Sequence, residues 1–294
     1  MLRKVRIIII ILFIAVLVVF LVTGASERRS ADYVAPVITA ESDRIEASVT
    51  VTDEELLQGM KAMDNKDGDV TSTLVVASRS KFISKNTVKV RYAAFDNNNN
   101  VGTFTRELYY TDYKPPRFSL NWPLCFIESD TRDVRQILNN ITATDCIDGD
   151  ITSQIMVTLG DLKTIAQGVK AQPMNLQVSN RSGDTAVLDL EVRFEEYNIF
   201  NQLKPHLSTY LLYSKIGDIA PNFLLYADGV GYGNKVTSFA DTDFKRYPDV
   251  QVDTSKVDYK TPGIYEVTYT LTRLVENGTR QPLGSTIMIV IVEE

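Results

Sequence analysis

The chain has 294 residues, enough for two or three domains of ordinary size, and its 44% hydrophobic and 23% charged residues make a globular composition. The formal net charge of −6 argues against nucleic acid, whose recognition needs a basic face to neutralise phosphates. One histidine and two cysteines exclude most zinc, haem and iron–sulfur arrangements.

The first six residues carry three basic side chains, Arg3, Lys4 and Arg6, and "IIIIILFIAVLVVFLV" (7–22) follows without a polar side chain. Extended to residue 25, the run is close to the roughly twenty residues that cross a bilayer as a helix. Cationic residues on the N-terminal side stay in the cytoplasm, so the remainder is expected outside the cell. The segments expected are a cytoplasmic tail (1–6), a transmembrane signal-anchor helix (7–25) and a short stalk (26–34). A cleaved signal peptide is the alternative, because Thr23-Gly24-Ala25 offers small residues at a cleavage point. Export makes a disulfide between Cys125 and Cys146 permissible, while two buried thiols would serve equally well.

Beyond the anchor the chain repeats itself. "KAMDNKDGDVTSTLVV" (61–76) aligns without gaps on "TATDCIDGDITSQIMV" (142–157), at a spacing of 81 residues. Each copy is preceded by a proline-led strand and a short helical turn, and is followed by two strand-like runs about a polar turn. In the first copy the turn is Asn97 to Asn100, where asparagine tolerates positive φ in a β-hairpin. A third, degenerate copy opens on "KPHLSTYLLY" (204–213), carries "KVTSF" (235–239) and closes on "TPGIYEVTYTL" (261–271), but has "ADGVGYGN" in place of the acidic core. Dense short strands between Pro, Gly, Asn and Asp turns predict an all-β fold of stacked sandwiches. Domain boundaries are expected at 35–112, 113–197 and 198–294. The junctions at 112–116 and 195–198 are short, which predicts a semi-rigid rod.

The proline-led strand, "LLQGMKAMDNKDGDVTS", "ITATDCIDGDITS" and "TPGIYEVTYTLTR" resemble the bacterial surface immunoglobulin-like domain family, whose members stand in tandem on exported proteins. The resemblance implies three immunoglobulin-like β-sandwiches that serve as spacers or as adhesion-type binding modules. The second repeat departs from it by lacking the Gly-x-Tyr-x-Val-x-Tyr strand, and the third by lacking the acidic turn.

The acidic turns place Asp64, Asp67 and Asp69 together in one repeat and Asp145, Asp148 and Asp150 in the next. Clustered carboxylates suit Ca²⁺, although the spacing is not that of an EF-hand loop. The alternative is structural: Gly68 and Gly149 supply positive φ and the aspartates accept backbone N–H groups. No other cofactor is expected. Paired acids of a glycosidase need a cleft between them and here share one turn. Ser78-Arg79-Ser80-Lys81 lacks partner motifs, "GVGYG" (229–233) lacks a following Lys-Ser/Thr, and His206 has no evident acid–base partner. The expectation is therefore a non-catalytic, membrane-anchored surface protein of a bacterium, with a protein or glycan ligand and no nucleic acid. A scaffold subunit of an envelope membrane complex is the alternative.

Overall fold

A computed structural model of the chain describes residues 2–30, 32–127, 137–196, 203–232, 235–239, 249–276 and 278–294, and within the first of these the side chains of residues 6–22. There are two compact units, Met1–Tyr113 and Lys114–Glu294. Their boundary falls inside the proline-containing stretch 112–116.

The first unit opens with helix α1 (Leu2–Ser30). The stalk expected from residue 26 begins later, because Ser26-Glu27-Arg28-Arg29-Ser30 continues the helix. Glu and Arg are good helix formers, and no proline intervenes before Pro36. Among the described residues no helix is long and apolar enough to cross a membrane. The seventeen described side chains cover about 25 Å of helix against a hydrocarbon core of about 30 Å.

The strands that follow are β1 (Val37–Ala40), β2 (Arg44–Ala47), β3 (Met60–Asp64), β4 (Gly68–Asp69), β5 (Val75–Ser84), β6 (Thr87–Phe95) and β7 (Val101–Tyr110). One sheet has the order β1-β3-β4, the other β2-β7-β6-β5. The opening segment changes sheets, pairing antiparallel with β3 through β1 and parallel with β7 through β2. Alternation of side chains explains the core: Val88, Val90, Tyr92 and Ala94 share one face of β6 and are buried completely. Where the opening segment passes β7, a Cβ on Gly102 would stand 1.9 Å from the Pro36 carbonyl oxygen, so only glycine fits. A single turn, α2 (Asp53–Leu56), is held by a capping box in which Thr52 and Glu55 bond each other's backbone N–H. The hairpin of asparagines places Asn99 at φ 63.

The second unit repeats this pattern twice. The first copy contains β8 (Arg117–Leu120), β9 (Cys125–Ile127), β10 (Ile141–Asp145), β11 (Gly149–Asp150), β12 (Met156–Leu159), β13 (Lys163–Ala166), β14 (Val169–Ser179) and β15 (Thr185–Glu195). Its sheets are β11-β10-β8 and β12-β14-β15-β9, with β13 also on β14. The second contains β16 (Leu203–Leu207), β17 (Leu211–Lys215), β18 (Ala227–Tyr232), β19 (Lys235–Ser238), β20 (Asp249–Asp253), β21 (Gly263–Leu274) and β22 (Arg280–Glu293), in sheets β16-β18-β19 and β17-β22-β21-β20. The same change of sheet recurs, with β9 parallel to β15 and β17 parallel to β22. The architecture is all-β and immunoglobulin-like.

These two copies are joined through the interior. One hydrophobic cluster contains Phe118, Leu120 and Phe194 from the first and Tyr210, Phe223 and Met288 from the second. Tyr210 donates its N–H to the Leu120 carbonyl at 3.0 Å and accepts the Ile289 N–H at 2.9 Å. Arg193 pairs with Glu266 at 2.7 Å, and Arg117 with Glu293. The expected junction at 195–198 lies partly outside the described residues.

Candidate functional site

The two acidic turns have the same construction. Gly68 and Gly149 take φ of 73° and 72° with open space around them, as a reversal between antiparallel strands requires. Asp64 Oδ1 accepts the N–H groups of Lys66 and Asp67 at 2.8 and 2.9 Å, and Asp145 Oδ1 accepts those of Ile147 and Asp148 at 2.8 and 3.0 Å. Asp69 and Asp150 accept the N–H of Thr71 and Thr152, each at 2.9 Å. The threonine hydroxyls in turn accept the N–H of Ala62 and Ala143, each at 3.0 Å, and so extend the ladder past the end of the short return strand. Asp67 is tied to Asn97 through the latter's N–H and side-chain amide, and Asp148 to Arg181. These bonds favour the carboxylates. Asp64 is held below its ordinary pKa by the Asp67 and Lys66 N–H groups against opposing desolvation, Asp69 by the Thr71 side chain and N–H, and Asp150 by those of Thr152.

Asp67, Asp69, Asp148 and Asp150 are thus occupied locally. Asp64 also faces away from its turn. With Asp32 and Asp96 it forms a group in which one carboxylate oxygen of each lies within 4.8 Å of the others. All three are buried, at 5, 7 and 6% exposure for Asp32, Asp64 and Asp96. Oδ2 of Asp32 and Oδ2 of Asp64 are enclosed and accept no hydrogen bond. The Lys66 ammonium stands 3.9 Å from Asp32 Oδ2, on a side chain that is half exposed. At an effective dielectric constant of about 20, two full charges at 4.8 Å repel by roughly 3.5 kcal/mol, so an ionised trio needs more counter-charge than the single Lys66 ammonium supplies. Asp32, within the expected stalk, and Asp96, just before the asparagine turn, were not among the residues singled out in the sequence.

Cys125 and Cys146 are free thiols. Cys146 Sγ accepts the Lys114 N–H at 3.3 Å, and Cys125 Sγ lies 3.3 Å from Lys204 Nζ. Burial pushes the Cys125 thiol up to about 11, with Glu195 adding to the shift and Lys204 opposing it, so it is protonated at neutral pH and is no nucleophile there. It borders a cavity of about 100 Å³ shared by Trp122, Phe126, Lys204, His206 and Tyr210. His206 Nδ1 is 2.6 Å from Asp228 Oδ1, and its ring centre lies 5.3 Å from that of Trp122. Ligand pockets usually run to several hundred Å³, so this one can take a single small group at the end of a larger ligand. Ser78 and Lys81 lie on strand β5, and "GVGYG" begins within β18; neither opens a helix.

No family model and no curated protein matches the chain. Solved structures that overlap it include the protocadherin γB4 extracellular domain (10% identity, 87% of this chain and 49% of that one, TM-score 0.21). Others are the CBM51-2 and INT domains of Clostridium perfringens ZmpB, solved with GlcNAc (12%, 88% and 42%, TM-score 0.22), and human CDH23 EC21-23 (11%, 88% and 100%, TM-score 0.20). The chain spans about half the length of the protocadherin chain. Overlaps this loose carry no argument, and the sandwich fold rests on the strand pairing itself.

Proposed function

We propose that the chain is a non-catalytic bacterial surface protein, anchored by residues 7–25, whose three immunoglobulin-like domains act outside the cell as a spacer and as binding modules for envelope polymer, glycan or protein. The observation that carries this is the surface of α1. Eleven large apolar side chains among residues 7–18 are 42–66% exposed. Leaving them in water forgoes on the order of 15 kcal/mol, so a bilayer or a partner helix must cover them. The protonated Cys125 and the locally bonded turn carboxylates support a role without catalysis. The cavity walled by Trp122, His206 and Tyr210 offers an aromatic surface to one group of a larger ligand.

The test is fractionation of cells expressing the full chain, protease treatment of intact cells, and mild crosslinking. Retention of the chain in membranes at high salt, with the region after residue 30 digested from outside, is the expected result. Recovery in the soluble cytoplasm overturns the proposal. A stoichiometric membrane protein in the crosslinked product favours the scaffold role instead.

A further inference from the structure

We propose that Asp32, Asp64 and Asp96 form a calcium-binding site that ties the segment following α1 to the first sandwich. The ligand set differs from the run of aspartates within each acidic turn and is assembled from three distant parts of the sequence. Asp32 lies two residues beyond the end of α1, Asp64 ends β3, and Asp96 follows β6.

Two observations point to a cation. The first is Asp64 Oδ2, enclosed and accepting no hydrogen bond although its residue is more than nine-tenths buried, beside an equally enclosed Asp32 Oδ2 that accepts none and has the half-exposed Lys66 ammonium at 3.9 Å. Buried carboxylates are ordinarily paired or bound to metal. The second is supplied by the next repeat. Asn98 and Asn100 donate their N–H groups to Asp96 Oδ1 at 2.9 and 2.7 Å. Asp184 donates its N–H to Asn180 Oδ1 at 3.0 Å, closing the equivalent turn, in which Asn180 therefore occupies the position of Asp96. There the Asn180 amide reaches across to Asp145 Oδ2 at 3.0 Å and satisfies the oxygen that corresponds to the bare one on Asp64. The second repeat closes the place with a neutral donor. The first puts a carboxylate in the donor's position, so the Asp64 oxygen faces negative charge where its counterpart meets an N–H.

The chemistry selects the ion. Three carboxylates and no nitrogen or sulfur donor suit a hard cation. Asp96 Oδ2 is also bonded to the Asn100 side-chain amide at 2.6 Å, and the same amide reaches the Asp32 carbonyl oxygen at 3.0 Å. Such an irregular, incomplete cage fits Ca²⁺ filled out with water better than Mg²⁺, which demands a near-ideal octahedron. Three carboxylates with few further ligands place the site among extracellular modules, with Kd about 10⁻⁴–10⁻³ M. The inference does not depend on the surface role proposed above, since it concerns occupancy alone.

The experiment is calorimetric titration of the chelator-treated full chain in detergent with CaCl₂, and separately with MgCl₂, alongside thermal unfolding. One Ca²⁺ per chain, weaker Mg²⁺ binding and a Tm that rises with calcium are expected. Asp32→Asn should weaken calcium at least tenfold. Asp96→Asn, which copies Asn180, should abolish binding while the metal-free Tm stays at or above that of the unsubstituted chain, which shows that the variant folds. Absence of binding up to 10 mM (about ten times the weakest Kd expected) overturns the proposal. So does calcium affinity unchanged in both variants, or affinity lost in Asp69→Asn instead.

Discussion

Replacing Thr152 by valine tests whether the repeated acidic motif is there to build a turn. Valine keeps the shape and removes the hydroxyl that accepts the Ala143 N–H at 3.0 Å. Ala143 is fully buried, so no water can replace the acceptor. An unsatisfied buried donor costs about 1–3 kcal/mol. With a urea m-value of about 2 kcal/mol/M, the unfolding midpoint should drop by roughly 0.5–1.5 M. The chain has one tryptophan, Trp122, which lies in the second unit, so its emission reports that unit alone. Thr71→Val makes the same change at Ala62 in the first unit. It should leave the tryptophan transition in place and move only the far-ultraviolet dichroism of the other transition. Thr152→Ser, which keeps the oxygen, should restore most of the loss. A tryptophan midpoint unchanged in Thr152→Val, or lowered as far in Thr152→Ser, would refute the account of the turn.

Acid should act through the same turns. Asp69 and Asp150 are held below 3.8 in the folded chain, so the unfolded chain binds more protons at low pH. Their contribution is present above about pH 3.8 and is lost as pH falls through the folded values; Asp69→Asn with Asp150→Asn should flatten that slope, and an unaltered slope removes these groups from the account. Reaction of native Cys125 with a thiol reagent should be slow at pH 7 and rise only toward pH 11, later than for a free cysteine; fast reaction at neutral pH contradicts the burial assigned to it. Arg193→Ala and Glu266→Ala in a double-mutant cycle should show about 0.5–1 kcal/mol of coupling in the tryptophan transition, since the pair joins the two sandwiches of the second unit at 2.7 Å. Zero coupling would make that contact incidental.

What could be read from the sequence, and what could not, divides by distance along the chain. The acidic turns were legible because each is made by neighbours: Asp64 bonds residues two and three ahead, and Gly68 needs positive φ whatever the rest of the chain does. The division of the chain after Tyr113 falls where prolines break strand pairing locally. The joining of the second and third repeats through Tyr210, Leu120 and Ile289 left no local mark, since alternating apolar residues fill a private core and a shared one with the same pattern. The helix end at Ser30 was missed because polarity was taken as the signal to stop, whereas Glu and Arg propagate a helix well. Asp32 and Asp96 were missed for the same reason as Tyr210. Yet a comparison carried further downstream, allowing three extra residues in the second copy, sets Asp96 in the "DNNNN" turn against Asn180 in "NRSGD". One repeat has an acid where its twin has an amide, at a position otherwise bonded alike. Where an internal repeat keeps its structural residues and changes a buried charge, the change marks the copy in which something other than the turn is being held.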